Sequence, residues 1–156
     1  MKKFHRLLAW TLVLCWMGMI FYLSHQPATV SSELSSSITQ IFIHVIEITL
    51  PFVQLQQETW HFLIRKSAHF IAYLMLGIFI IHALYVSDLR RYDGIIIAIA
   101  ISCFYAISDE IHQIFIPGRS GEIRDVMIDT FGATSGILLY RLFVLFFSKR
   151  KSVKVK

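Results

Sequence analysis

Four long apolar runs, separated by shorter polar segments, constrain this chain more than any other feature of its sequence. A helix needs about 20 consecutive apolar residues to cross the hydrocarbon core of a bilayer. The runs approach or exceed that length and cover about Leu7–Leu23, Phe62–Tyr85, Gly94–Phe115 and Val126–Phe147. We therefore expect an all-α integral membrane protein built as a four-helix transmembrane bundle.

The composition agrees with a membrane protein. Hydrophobic residues make up 56% of the chain and charged residues only 16%, whereas a soluble domain carries about a quarter charged residues. The net charge of +5 does not indicate a nucleic-acid partner, because the basic residues flank the apolar runs or form the tail. Cys15 and Cys103 lie inside apolar runs, so no disulfide framework is expected.

One transmembrane domain, residues 1–148, is expected to precede a basic cytoplasmic tail, residues 149–156. The opening "MKKFHR" resembles the basic start of a signal peptide, but no small-residue cleavage site follows the first run. We therefore expect the first run to be retained as a membrane helix.

The distribution of Lys and Arg predicts the orientation in the membrane. Four crossings put both termini on one side, and that side carries ten Lys and Arg residues. The other side carries four, namely Arg65, Lys66, Arg119 and Arg124. By the positive-inside rule both termini are cytoplasmic. The segments "SHQP", "RKSAH", "SDEIHQIFIPGR" and "RDVMIDT" then all fall on the extracytoplasmic face.

The long outer segment between the first two runs shows a helical pattern over about 33–50. Apolar residues such as Leu34 and Ile38 recur at helical spacing, and polar residues such as Glu33 and Ser37 take the opposite stripe. This pattern predicts an additional amphipathic helix on the extracytoplasmic side, in the interface or capping the bundle.

Polar residues form stripes at the outer ends of three of the runs. On the second run they comprise Lys66, His69 and Tyr73, on the third Ser102, Tyr105, Asp109 and His112, and on the fourth Asp125, Asp129, Gly132 and Gly136. Glu110 is turned about 100° from Asp109 on the third run. Ionisable groups inside a membrane helix are costly, so they usually pair, line a wet cavity or have a function. We expect the stripes to point inward, with "IPGR" as a tight external turn and the glycine pair permitting close helix approach.

Two readings of these stripes involve no chemistry. In the first, the charges form a structural ion-pair network that locks the helices of an interaction module. In the second, Lys66, Arg119 and Arg124 bind the phosphate of an anionic head group and are oriented and neutralised by the carboxylates.

Two further readings are chemical. Asp109 or Glu110 beside His112 could act as acid and base in a membrane-embedded hydrolase or transferase, with His69 as a second base. Glu110, His112 and Asp129 could instead supply ligands to a divalent metal. The sequence contains no standard metal-binding spacing, so no cofactor is predicted.

Four segments together resemble the VanZ-like family of small bacterial membrane proteins. They are "FYLSHQP", "RKSAHFIAYLMLG", "SDEIHQIFIPGR" and "RDVMIDTFGATSG", and the resemblance runs from about Ile20 to Leu139. The matching positions are Ser24, Gln26, Lys66, His69, Tyr73, Asp109, Glu110, His112, Gln113, Pro117, Gly118, Arg119, Asp125, Asp129 and Gly132. Ala72 departs from the family, which often has Glu before this Tyr.

The resemblance implies an outward-facing role in the bacterial cell envelope, because the name-giving member is linked to resistance to teicoplanin-type lipoglycopeptides. We therefore expect a multi-pass protein of the bacterial cytoplasmic membrane with an outward-facing polar pocket. The pocket is expected to bind or modify a phosphate-headed or lipid-linked cell-wall precursor, or a lipoglycopeptide-type antibiotic. Its expected binding residues are Lys66, His69, Tyr73, Asp109, Glu110, His112, Gln113, Arg119, Arg124, Asp125 and Asp129, with Ser24 and Gln26 at the rim.

Overall fold

Five α-helices make up the part of the chain that the computed structural model describes, residues 2–49, 57–89 and 92–153. They are α1 (Lys2–Ser24), α2 (Ala28–Thr49), α3 (Gln57–Val86), α4 (Tyr92–Gln113) and α5 (Ile123–Val153). Four segments are long and apolar enough to cross a membrane, namely Lys2–Ser24, Phe62–Val86, Tyr92–Gln113 and Ile123–Phe147. The expected all-α protein with four crossing helices is confirmed.

The third crossing ends earlier than its apolar run does, at Gln113 instead of Phe115. A turn follows in which Ile116 accepts a hydrogen bond from the backbone N–H of Arg119 at 3.1 Å. Gly118 occupies the third position of this turn with φ +74°, which a type II turn requires there. The tight turn expected at "IPGR" is therefore confirmed. At the other end of the loop α5 begins at Ile123 and continues to Val153, so part of the expected tail is helical.

A fifth helix, α2, covers the range of the expected amphipathic helix and begins earlier, at Ala28. Its first residue donates a backbone hydrogen bond to the Pro117 carbonyl oxygen at 3.2 Å, and the helix packs against α3. Several side chains of its expected apolar stripe, Leu34 and Ile38 among them, lie outside the described residues. Its amphipathic character and its position at the interface therefore stay predictions.

The crossing helices run alternately in opposite directions. The start of α1 meets the end of α3, where Arg6 donates hydrogen bonds to the Val86 carbonyl oxygen at 3.0 Å and to the Asp88 carboxylate. The end of α1 meets the end of α4, where Ser24 Oγ donates to Asp109 at 2.9 Å. The starts of α3 and α5 also lie at this second end, which we call the polar end.

Helices α3 and α5 share the most extensive contact, because glycines bring their backbones together. A methyl group placed on Gly132 would lie 2.5 Å from the Phe70 carbonyl oxygen, and one on Gly136 would lie 2.1 Å from that of Leu74. Gly77 of α3 is equally close to the backbone of α5. The close approach expected from Gly132 and Gly136 is therefore confirmed.

The interior of the bundle changes from apolar to polar along its length. Large apolar side chains such as Phe104, Phe131 and Phe143 are exposed on the outside, as lipid-facing positions of a membrane bundle are. Inside, Leu76 and Ile80 belong to an apolar core. At the polar end the buried polar residues are Ser24, Asp109, Glu110, Gln113, Asp125 and Asp129.

We predict that Gly136→Ala destabilises the protein, because the added methyl group would overlap the backbone of α3. Overpacking of this kind costs about 1–3 kcal/mol. Gly18→Ala is the matched control, since nothing lies within 4 Å of a methyl group there and alanine is the better helix former. Thermal unfolding of both variants in detergent measures the difference. Equal melting temperatures would contradict the backbone contact.

Candidate functional site

Three carboxyl groups from α4 and α5 converge at the polar end. One oxygen from each of Asp109, Glu110 and Asp129 lies within 4.8 Å of the other two. The residues are 3%, 4% and 0% exposed, respectively. Asp109 accepts the hydroxyl of Ser24, and Glu110 accepts the backbone N–H of Glu122 at 2.9 Å. We call the three residues the carboxyl cluster.

The carboxyl cluster and its neighbours contain many polar atoms without partners. Asp109 Oδ1, Glu110 Oε1 and both carboxyl oxygens of Asp129 are buried and make no hydrogen bond. The Tyr73 hydroxyl and Gln113 Oε1 are in the same state, although the Gln113 amide donates to Asp109 at 3.3 Å. Because buried polar atoms are normally paired, this group of oxygens is a candidate site for a ligand that donates or carries positive charge.

Two of the three α3 residues that were expected in the site, Lys66 and His69, lie beside the carboxyl groups of α5. His69 Nδ1 lies 3.7 Å from Asp129 Oδ1, which is beyond hydrogen-bonding distance. Lys66 forms an ion pair with Asp125 and has a second carboxylate, that of Glu122, at 3.8 Å. The Lys66 and Asp125 side chains are only 13% and 8% exposed, so this pair is largely shielded from water.

The two arginines that were expected to neutralise the carboxylates do not pair with them. Arg119 donates instead to the backbone carbonyl oxygens of Gln26 at 2.9 Å and Leu23 at 3.2 Å, because the preceding turn carries it over the end of α1. Arg124 is exposed, since successive helical residues point about 100° apart and its neighbour Asp125 faces inward. Neither arginine forms the expected ion pair among the described residues, although the charges of Asp109 and Glu110 oppose the lowering of the Arg119 pKa by burial.

His112 lies away from the carboxyl cluster and contacts α1. Its ring packs on Phe21 with centroids 4.5 Å apart, and its Nε2 atom lies 3.2 Å from Nδ1 of His25. The structure therefore brings Asp109, not His112, together with Glu110 and Asp129. Sequence reasoning missed His25, which is 87 positions from its partner and has no spacing that relates it to α4.

A groove beside the cluster is lined by basic and hydroxyl side chains. It encloses about 340 Å³ between α2, α3 and the α4–α5 loop. Its polar lining consists of Ser32, Ser35, Ser36, Arg65, Lys66, Arg119, Ser120 and Glu122. We call it the basic groove. Sequence reasoning used Arg65 only as a topology signal, because no motif distinguishes it from a flanking charge.

An apolar recess adjoins the basic groove and shares Ser35, Arg65 and Arg119 with it. The recess encloses about 170 Å³. Its apolar lining consists of Ile20, Leu23, Val30, Ile64 and Ala68. Ser24, Gln26 and His69 border it, and the expected position of Ser24 and Gln26 at the rim of the polar pocket stays a prediction. Gln26 itself donates to the Tyr22 carbonyl oxygen at 3.2 Å.

The electrostatics of the basic groove favour an anion. Burial lowers the pKa of Arg119, and the nearby charge of Arg65 lowers it further, while the charges of Asp109 and Glu110 partly oppose this shift. Among the described residues, neither guanidinium forms an ion pair with a carboxylate. Two partly buried cations without anionic partners gain free energy when an anion enters between them.

We predict that Lys66→Met and Asp125→Asn each destabilise the protein, because the first leaves Asp125 unpaired and the second leaves Lys66 only the more distant Glu122 carboxylate. Removing one member of a buried pair costs about 3–5 kcal/mol. The double variant should lose less stability than the sum of the two single losses. A double-mutant cycle on thermal unfolding measures this coupling, and additive losses would argue against the pair.

Comparison with known proteins identifies the family. The chain matches the model of the VanZ/LLP1 family over residues 9–145, a segment that includes the polar end, the carboxyl cluster and the basic groove. No curated protein and no solved structure matches the chain. Because the match covers nearly the whole chain, this protein belongs to the VanZ/LLP1 family, whose members are cell-envelope membrane proteins linked to antibiotic resistance.

Proposed function

We propose that this protein binds an amphiphile with an anionic, phosphate-bearing head group, of the class of lipid-linked cell-wall precursors. The observation that carries the proposal is the basic groove with its adjoining apolar recess. The groove supplies cationic and hydroxyl groups at one end of a membrane bundle. The recess supplies an apolar surface immediately beside them.

The head group would be held by Arg65, Arg119 and Lys66. A guanidinium presents N–H donors in a planar fork that matches two phosphate oxygens, and such charge-assisted hydrogen bonds are among the strongest in proteins. The serine hydroxyls of α2 add donors without adding charge. Arg119 is already oriented by the carbonyl oxygens at the end of α1, so little side-chain entropy remains to be lost on binding.

The apolar recess favours an amphiphile over a free anion as the ligand. Ile20 and Leu23 of α1, Val30 of α2 and Ile64 of α3 line it. The first part of a lipid chain can lie along these side chains while the head group stays in the basic groove. A soluble phosphate compound would use only the polar half of this surface.

Two alternative functions find less support in the geometry. An acid–base enzyme was expected to use His112 beside Asp109 or Glu110, but His112 packs on α1 instead. A purely structural charge network would leave its members satisfied. Lys66 and Asp125 form such a pair, whereas Asp129 has two oxygens without hydrogen-bond partners.

The proposal includes an orientation in which the polar end faces the extracytoplasmic side of the bacterial cytoplasmic membrane. The ten Lys and Arg residues near the termini and in the loop between α3 and α4 support it. In that orientation the basic groove lies at the depth of the outer-leaflet head groups, where lipid-linked wall precursors are consumed.

We predict that Arg65→Gln weakens binding of a phosphate-headed polyprenyl lipid by about 10- to 100-fold, because it removes a charge-assisted contact. Arg124→Gln removes the same charge from an exposed position outside the groove and should leave affinity unchanged. Native mass spectrometry of the protein in nanodiscs, titrated with the lipid, measures both.

A lipid with the same chain and a neutral head group serves as the ligand control and should not bind. Equal affinities for the two variants would refute the groove as the site. Saturable binding of a lipoglycopeptide in place of the phosphate lipid would show that the ligand class is wrong.

We predict that a thiol at Ser120 is labelled from outside intact cells by a membrane-impermeant maleimide, because residue 120 is exposed at the polar end. A thiol at Asp93, exposed at the opposite end, should react only after permeabilisation. The variants are Ser120→Cys and Asp93→Cys, with the native chain controlling for Cys15 and Cys103. The reverse labelling pattern would overturn the orientation.

A further inference from the structure

The carboxyl cluster lacks the positive charge that three buried carboxyl groups require. Lys66, the nearest lysine on α3, is paired with Asp125. His69 Nδ1 lies 3.7 Å from Asp129, which is beyond hydrogen-bonding distance. Among the described residues no arginine or lysine forms an ion pair with Asp109, Glu110 or Asp129. Ionised carboxylates buried without a partner are strongly unfavourable.

The unpartnered oxygen atoms point to what supplies that charge. Asp129 is fully buried, and neither of its carboxyl oxygens makes a hydrogen bond. One oxygen each of Asp109 and Glu110 is in the same condition within the same 4.8 Å cluster. A proton on one carboxyl group would supply a single donor to one neighbouring acceptor oxygen. A cation satisfies several acceptor oxygens at once.

We propose that Asp109, Glu110 and Asp129 bind a divalent cation of the oxygen-preferring class, Mg²⁺, Ca²⁺ or Mn²⁺. Oxygen ligands lie about 2.1–2.5 Å from such ions, so two ligands of one ion are at most about 4–5 Å apart. The 4.8 Å spread of the three oxygens agrees with that limit. Gln113 Oε1 and the Tyr73 hydroxyl are further oxygen atoms without partners in the same buried region.

The ligand set selects against softer metals. Every candidate ligand is a carboxylate, amide or hydroxyl oxygen, and these suit Mg²⁺, Ca²⁺ and Mn²⁺ better than Zn²⁺ or Cu²⁺. His112, which would have favoured a transition metal, contacts His25 and not the cluster. His69 lies beyond Asp129, where it can orient a ligand carboxylate without itself being a ligand.

The apolar recess lies beside the carboxyl cluster. Ser24 and His69 border the recess, and they are the immediate neighbours of Asp109 and Asp129, respectively. The proposed cation site therefore lies directly behind the surface that we assign to the amphiphile. The two sites have separate residues, and cation binding requires no lipid.

Mn²⁺ titration of the purified protein in detergent, followed by electron paramagnetic resonance of the free ion, tests the proposal. We expect the native protein to remove about one equivalent of Mn²⁺ from solution, and Mg²⁺ or Ca²⁺ to compete. Asp129→Asn and Glu110→Gln should each weaken binding at least tenfold. Asp93→Asn, which removes an exposed carboxylate at the opposite end, should bind as the native protein does.

Three outcomes would overturn the cation site. They are no saturable binding by the native protein at millimolar Mn²⁺, native affinity in both cluster variants, and equal loss in Asp93→Asn. If Asp129→Asn does not fold, the native titration and Glu110→Gln still decide. A protein that binds the phosphate-headed lipid but no Mn²⁺ overturns this inference alone, and the opposite result overturns only the proposed function.

Discussion

The backbone contact between α3 and α5 determines where the charges at the polar end can lie. Gly132 and Gly136 of α5 touch the carbonyl oxygens of Phe70 and Leu74, which fixes the rotation of both helices and their relative height. Asp125 and Asp129 lie on the same stripe of α5 as the glycines. The rotation that brings the glycines against α3 therefore also turns both carboxyl groups toward it.

The same contact explains why charge can be buried here at all. Lipid cannot solvate an ion, so a membrane bundle must pair its charged groups or provide water or ions for them. Close packing below the polar end leaves α3, α4 and α5 held together by apolar and glycine contacts. The polar end can then carry unsatisfied groups, because the packing below it offsets their cost.

The buried charged residues at the polar end have three different kinds of surroundings. Lys66 and Asp125 neutralise each other. Arg119 is held by carbonyl oxygens, which accept hydrogen bonds without removing its charge. Several oxygen atoms of the carboxyl cluster have neither an ion-pair partner nor a hydrogen-bond partner among the described residues. Among the described residues, no ion pair joins the arginines of the groove to the carboxyl groups of the cluster, and we assign this arrangement to a site.

The sequence predicted the features that depend on local spacing. The four crossings, the turn at Pro117–Gly118 and the glycine face of α5 each follow from residues within a few turns of one another. The inward direction of Asp109 and Asp129 followed from the cost of exposing charge to lipid. None of these required knowledge of which helices are neighbours.

The sequence did not predict contacts between residues of helices that are distant along the chain. Arg119 donates to carbonyl oxygens more than ninety positions away. Every residue has a backbone carbonyl, so the side-chain types in the sequence do not indicate which carbonyl accepts. His112 was assigned to the cluster because it follows Asp109 by three residues, but that spacing also allows it to reach α1. The role of Arg65 depends on α2 passing over α3, and the spacing of residues within one helix does not determine that placement.

Ala72 shows why a departure from the family pattern need not remove the site. The resemblance placed a carboxylate here in many relatives, next to Tyr73. In this protein the Ala72 carbonyl oxygen accepts the indole N–H of Trp16 at 2.9 Å, and the residue packs against the apolar core. The carboxyl cluster draws its members from α4 and α5 only. Its negative charge is therefore complete without a contribution from α3, whose residues at this end supply a histidine and a lysine instead.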